Sequence, residues 1–376
     1  MTVSYSYDIS SVNFTTVFKL LVRWRGSIVK VVHREFLAYF SLYLIINLSY
    51  RFAMTIDQQK RFMGIAVYCD KYLGMIPTTF ILGFYVSIVY TRWDYILKQI
   101  PWPDSTAIFL ATYLKGGPDA KKAEKARIYR RTIIRYMIAS SVMGLRVISM
   151  QLRKRFPTFR HLVSSGLLTE EEAEMIESTV STPDDAKQWI PLEWAMGIAE
   201  KAWQKQLIRS DVLLDSICTH INNFRASMGN MLVADSVNIP LVYTQVVTIA
   251  VWTYFLASLF ARQVWTGVGV KEAFEIDMYV PFFTILQFVC LVGWLRTAQD
   301  MLNPLGEADD DFELNAIVDR NLQVGFSYVD ATAEHLPKAV ADAFIDEPLA
   351  ELPHSEDTKD DTDGHTRLTP SLMHLK

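Results

Sequence analysis

Four long apolar runs limit what this chain can fold into. Residues 36–54 contain one charged side chain, Arg51, near the end of the run, and residues 73–90, 237–260 and 278–295 contain none. A helix needs about 20 apolar residues to cross the hydrocarbon core. Buried helices of water-soluble proteins are shorter or striped, so the four runs predict four membrane-spanning helices. A fifth run, 132–151, carries Arg146 at its centre and follows Arg130, Arg131 and Arg135. A central Arg costs on the order of 2.5–3.5 kcal/mol on insertion scales. This run is therefore expected as a soluble or interfacial helix.

The charges are distributed just as unevenly. The whole chain of 376 residues has 37 Lys+Arg and 41 Asp+Glu. Residues 91–160 hold 15 basic and 4 acidic side chains, whereas residues 301–376 hold 5 basic and 17 acidic ones. A near-balanced total argues against a dedicated nucleic-acid binder. The basic bias places the N-terminal flank, with Lys19, Arg23, Arg25, Lys30 and Arg34, on the cytosolic side. Residues 55–72 and 261–277 then lie outside, and the central region and C-terminus inside. A polar segment of 35 residues precedes the first apolar run without a small-residue cleavage site after it, so no secretory signal is expected.

This gives a linear organisation: a cytosolic N-terminal segment (1–35), a first helix pair (36–90), a cytosolic helical domain (91–236), a second pair (237–296), an acidic region (297–330) and an acidic tail (331–376). The central segment is read as helical from its three- and four-residue apolar spacing. Lys115–Gly116–Gly117–Pro118 and Thr182–Pro183 break it, and Thr169 with Glu170, Glu171 and Glu172 forms a helix start. The fold class is an all-α membrane protein.

Chemistry-bearing motifs are scarce. Cys69, Cys218 and Cys290 are scattered and form no CxxC pair, so neither a disulfide framework nor a zinc site is indicated. No GxSxG, HExxH, P-loop or GxGxxG occurs, and the 7 His share no ligand spacing. Asn13–Phe14–Thr15 and Asn47–Leu48–Ser49 match the glycosylation pattern but fall inside and within a span. No enzyme is indicated.

Three features carry possible function. Ile76, Phe80 and Phe84 recur at i, i+4, i+8 on one helical face. The spacing fits a lipid-facing or packing stripe, and equally a ring of apolar side chains around a pore, which gates by dewetting. Where the fourth run ends, Asp300–Met301–Leu302–Asn303–Pro304–Leu305–Gly306–Glu307–Ala308–Asp309–Asp310–Asp311 joins helix-end carbonyls to a run of acids. Carbonyls with carboxylates are the oxygen set of Ca²⁺, but a solvated acidic turn fits the spacing too. Trp24–Arg25–Gly26–Ser27 reads as an interfacial anchor.

Taken together with Ile76–Pro77, Phe80–Ile81–Leu82–Gly83–Phe84–Tyr85, Thr91–Arg92–Trp93, Pro101–Trp102–Pro103–Asp104, Ile239–Pro240–Leu241–Val242–Tyr243–Thr244–Gln245 and Ile317–Val318–Asp319–Arg320–Asn321–Leu322–Gln323, the sequence resembles the bestrophins. These are pentameric anion channels, many of them opened by cytosolic calcium. The resemblance runs from Met1 to about Asp330. It implies a homopentamer in the plasma membrane, both termini cytosolic, with one axial pore for chloride and other monovalent anions. Its neck would be lined by Ile76, Phe80 and Phe84 and its cytosolic aperture by Val212. The implied calcium ligands are the carbonyls of Ser10, Asp300 and Asn303 and the carboxylate of Asp311. The family's other acid falls on Ala308, which has no carboxylate, so Asp309 is the candidate substitute. Asp300 stands where the family has an amide. In the tail, Thr369 and Ser371 lie in a segment whose character resembles the family's inhibitory C-terminal segment. Other readings are a calcium-independent anion channel, a non-conducting membrane scaffold that binds other channels through the acidic tail, and a secondary transporter, for which no inverted repeat is found.

Overall fold

The computed structural model describes residues 14–180, 182–183, 186–263, 280–332, 337–342 and 345, and among these it contains helices and turns but no strand. Met1–Ala333 form one compact unit and Glu334–Lys376 a second. The described residues of the second unit, 337–342 and 345, have no regular secondary structure.

The first unit opens with α1 (Phe14–Val22) and α2 (Ile28–Leu48), the latter continued by a π-helical turn, Ser49–Ala53. Gly26, at φ +70°, turns the chain in the left-handed region that glycine tolerates. Ser27 then caps α2, its hydroxyl accepting the Lys30 N–H at 3.2 Å. α3 (Ile56–Leu73) and α4 (Thr78–Lys98) follow, with α12 (Leu241–Ala261) and α13 (Phe282–Asp300) much later in the chain. Val32, Tyr39 and Tyr43 of α2 share a core with Leu82, Tyr85 and Val89 of α4, Val251 and Phe255 of α12, and Phe288 and Val292 of α13. Each fully buried side chain of this size contributes roughly 1.5–3 kcal/mol in water; in lipid, shape and ring contacts replace that drive. Tyr39 stacks on Phe288 at 4.5 Å, and Phe255 meets Phe288 edge-on at 4.8 Å. Polar groups in the bundle find partners within it, as an apolar surround demands. The Tyr39 and Ser258 hydroxyls are 2.7 Å apart, and Asn47 Nδ2 donates to Gln263 Oε1 at 3.0 Å.

Among the described residues, three segments are long and apolar enough to cross a membrane: Ile28–Ala53, Leu241–Ala261 and Phe282–Asp300. The second apolar run, 73–90, is divided between two helices. Leu73 ends α3, the chain turns at 74–77, and α4 starts after Pro77. Arg92, Asp94 and Lys98 charge the second half of α4, so its apolar stretch is confined to residues 78–91. The stretch between the first two apolar runs forms the helix α3 packed on α12, with Phe62 near Tyr50 and Phe260.

A second core belongs to the helical body: α5 (Asp104–Tyr113), α6 (Ala120–Ile148), α7 (Met150–Arg155), α8 (Phe159–Ser164), α9 (Glu170–Ser178), α10 (Ile190–Gln204), α11 (Asp211–Ser236) and α14 (Leu314–Ser327). α6 is its axle, with Ile133, Ile134, Met137, Ile138 and Val142 all buried. This is the run 132–151, and its arginines explain why it belongs here. Arg130 donates to the Val329 and Leu114 carbonyls at 2.9 Å each, and Arg146 to the Phe156 carbonyl at 3.2 Å. Arg135 grips Glu172 with two nitrogens at 2.6 and 2.7 Å. The expected helix start at Thr169 is a full capping box with Glu172. α4 joins the two cores, since Ile96 lies in the second.

Candidate functional site

Pro77, with no N–H and a fixed φ, is the residue that precedes α4, which begins at Thr78. The Thr78 N–H reaches back to the Ile76 carbonyl at 2.7 Å. Ile76 therefore sits in the turn ahead of the helix, not on its face as the i, i+4, i+8 spacing implied. Phe80 and Phe84 do share a face, their rings 4.7 Å apart and edge-on. The opposite face, with Leu82, Tyr85 and Val89, is packed into the bundle. The chain leaves the first face uncovered: Ile76 is 41%, Phe80 64% and Phe84 59% exposed. Beside it, Phe80 and Phe84 with Val242, Tyr243 and Val246 of α12 line an apolar groove of about 350 Å³. Val212 stands apart from these, in the first turn of α11, at 69% exposure. That turn is fixed by Ser210, whose hydroxyl accepts the Leu213 N–H at 3.3 Å.

The acidic turn is ordered around Asp311. α13 stops at Asp300, and Asn303 N–H bonds back to the Asp300 carbonyl at 3.3 Å. The Phe312 N–H bonds to the Pro304 carbonyl at 2.8 Å, closing the loop. Inside it, Asp311 Oδ2 accepts the Ala308 N–H at 2.5 Å. Asp311 is 6% exposed. Burial pushes its carboxyl above the usual range and the charge of Asp310 adds to this, against the Ala308 bond. Burial raises Asp310 as well, helped by Asp309. From α7, Gln151 Nε2 holds the Gly306 carbonyl at 2.8 Å, and Lys154 pairs with Glu307 at 2.5 Å.

Asp309, the candidate substitute ligand, faces the N-terminal segment. It pairs with Lys30, lies 3.7 Å from Arg25 and accepts the Gly26 N–H at 3.3 Å. Its bond to Lys30, with that of Gly26, holds it below the usual carboxylate range.

The turn brings Asp300, Asn303 and Asp311 together. A Cβ on Gly306 would lie 2.7 Å from Asp311 Oδ2 and 3.4 Å from the Asn303 carbonyl oxygen, so these two oxygens converge over a bare backbone. Among the described residues no three His, Cys, Asp or Glu side chains form a metal cluster. A cation here would take helix-end carbonyls as much as carboxylates, which is the donor chemistry of Ca²⁺ rather than of a transition metal. The residues present fit it on those terms. Ser10, Thr369 and Ser371 lie outside the described residues.

Sequence reasoning missed Gly306, which leaves the space for Asp311. It also quoted Arg92 without a role. Its acceptors are backbone carbonyls, which no residue type announces.

A family profile described as "Bestrophin, RFP-TM, chloride channel" matches residues 1–331. The chain belongs to the bestrophin family. Human Bestrophin-1 is 40% identical to this bestrophin over 355 residues, 94% of this chain and 60% of that protein. Human Bestrophin-3 is 39% identical, covering 94% and 52%, and Bestrophin homolog 22 of Caenorhabditis elegans 37%, covering 98% and 72%. The bestrophin chain thus spans about 60% of the length of the human Bestrophin-1 it matches. Among solved structures, a single-site mutant of a bacterial Bestrophin homolog from Klebsiella pneumoniae superposes with a TM-score of 0.61 at 19% identity, covering 80% of this chain and 99% of that one. A second mutant of that homolog gives 0.57 at 18% identity, covering 80% and 99%. This bestrophin therefore has the fold of the bacterial homolog.

Proposed function

We propose that this protein is an anion-selective channel that conducts chloride and similar monovalent anions passively, as a homopentamer around one axial pore. It has no catalytic cycle. The observation that carries the reading is the uncovered face of α4, where Phe80 and Phe84 stand exposed on a helix whose other face is packed. In a bestrophin, five such faces turned to one axis, each preceded by Ile76, make an apolar neck. Such a constriction gates by dewetting, and the electropositive edges of its aromatic rings suit an anion. Val212 forms a second constriction at the cytosolic end. The net-basic region 91–160 raises the local anion concentration on that side. The same bias supports cytosolic termini, and the membrane proposed for the pore is the plasma membrane.

Calcium is the proposed gating ligand. Asp311, with the carbonyls of Asp300 and Asn303 and of Ser10, would hold it. Bound there, it would supply positive charge to a turn in which the exposed Asp310 repels the buried Asp311 carboxyl. The chain's own part is to keep Asp311 over Gly306 and to hold Asp309 away on Lys30.

The test is full-length protein purified into planar bilayers, recorded against cytosolic Ca²⁺ with chloride replaced by a large anion. The reversal potential is expected to follow the chloride gradient. Absence of any anion current in neck-widened as well as unaltered protein would refute the channel and leave a membrane scaffold.

A further inference from the structure

We propose that Arg92 is the positioning residue through which the acidic turn controls the neck, an inference that rests on the channel reading above. Arg92 lies on α4 two turns beyond Phe84, about 12 Å along the helix axis. It is the point where three separate elements meet. Its Nη1 donates to the Leu302 carbonyl at 2.5 Å, and Leu302 lies between Asp300 and Asn303. Its Nη2 donates to the Ala234 carbonyl at 2.6 Å, in the last turn of α11, and lies 3.3 Å from Asn238 Oδ1. α11 is the helix that begins at the Val212 aperture.

Ala234 offers a carbonyl of the last helical turn, without a partner in its own helix and partly negative, and Leu302 a carbonyl of the turn just past the end of α13. Asp235 is the acid that acts on Arg92 electrostatically, and no carboxylate among the described residues makes an ion pair with it. Nε is buried without an acceptor. The guanidinium is thus held mainly by backbone, and by backbone of two elements at once.

A planar fork with fixed nitrogens is rigid in a way that an ammonium is not. The 300–303 backbone cannot change the direction of its carbonyls without either carrying Arg92 along or breaking a short charge-assisted bond. Carrying Arg92 moves α4, and with it Phe80 and Phe84. The bond to Ala234 ties the end of α11 to the same event. Packing also joins α4 to the turn, through Trp93 against Phe312 at 5.2 Å and Leu302 against the bundle core, but of these contacts only the guanidinium fork holds the direction of the Leu302 carbonyl.

Arg92→Lys keeps the charge and loses the fork, and Arg92→Gln removes the charge. Each is made alone and together with alanine at Ile76, Phe80 and Phe84, in full-length protein. Two quantities are read: Ca²⁺ binding by titration calorimetry, and anion current with and without Ca²⁺. Both single variants are expected to bind Ca²⁺ within about twofold of the parent while the current at saturating Ca²⁺ falls by roughly 5–150-fold, the range of a coupling energy between sites. In the neck-widened background the current is expected to return without Ca²⁺, which a merely misfolded protein would not do. Unchanged Ca²⁺-evoked current in both single variants, Ca²⁺ binding lost in parallel with current, or combined variants that stay silent would overturn the coupling. A neck-widened protein with Arg92 intact that carries no anion current would refute the channel reading itself.

Discussion

Replacing Gly306 with alanine would set a Cβ 2.7 Å from Asp311 Oδ2 and 3.3 Å from Asn303 Nδ2. Ordinary contact begins near 3.5 Å, so the carboxylate must retreat by about 0.8 Å. It is not free to do so cheaply. Oδ2 also accepts the Ala308 N–H at 2.5 Å, and the side chain is almost wholly buried. Overpacking of this kind costs about 1–3 kcal/mol. If the retreat also removes Asp311 from the cation, the site loses its firmest charged ligand, and affinity in such sites follows ligand charge. A loss of about 1.4 kcal/mol is tenfold in affinity, so Ca²⁺ binding of Gly306→Ala is expected to weaken by roughly ten- to a hundredfold. Titration calorimetry on the purified variant reads this directly, and current against cytosolic Ca²⁺ should shift by the same factor. Thermal unfolding without Ca²⁺ is the control for gross damage. A variant that folds and binds Ca²⁺ at the parent's midpoint would refute the placement of the cation over Gly306.

Ala308→Asp is expected to move activation to lower Ca²⁺ and Asp311→Ala to abolish it, and an unmoved midpoint in the first would show the sensor to be elsewhere. Glu172 tests the helical body. Burial pushes its carboxyl up, but Arg135, Tyr136 and the Thr169 N–H outweigh that and bring it from 4.5 to about 2. An acid depressed in the folded state stabilises it above the unfolded value and loses that contribution as pH falls through the folded one, so at most ~3 kcal/mol disappears between about pH 4.5 and 2. Melting temperature should fall over that window in the parent and fall less in Glu172→Gln; equal slopes would count against it. Truncation after Ile345, which removes Thr369 and Ser371, is expected to raise the current or slow its rundown, and no change in either would remove the inhibitory tail.

The apolar runs were legible because lipid demands length and freedom from charge, and three of them became helices of that kind. Their starts were not. α4, α12 and α13 each begin directly after a proline, Pro77, Pro240 and Pro281, whereas apolar composition continues across those prolines to Leu73, Val237 and Met278. Hydropathy registers transfer free energy, and proline acts through φ and a missing donor, which no hydropathy value contains. Residues 56–73 misled for the opposite reason. A helix lying on another helix needs only a narrow apolar stripe, here Phe62, Ala66 and Leu73, and its charged outer face resembles a loop. In the acidic turn, the closure of Asp311 onto Ala308 is local and was within reach of the sequence. Asp309 was not, since its partners Gly26 and Lys30 are nearly three hundred positions away. Arg92 meets carbonyls, and a carbonyl leaves no mark in a sequence.

The body's core has a consequence for biosynthesis. Most of it comes from residues 96–231, but Leu305, Phe312, Leu314, Val318 and Val329 belong to the same cluster. The ribosome delivers these only after α12 and α13 have been made. Until then Arg127 lacks Asp330 and Arg130, buried in the finished fold, lacks the Val329 carbonyl, and a buried donor without its acceptor costs about 1–3 kcal/mol. A nascent subunit in which only one of the last two apolar helices crosses the bilayer sends residues 305–330 to the opposite side from the body that needs them. Correct threading of the membrane is thereby written into the stability of the helical body, where a quality-control protease reads a missing span as an unfinished fold.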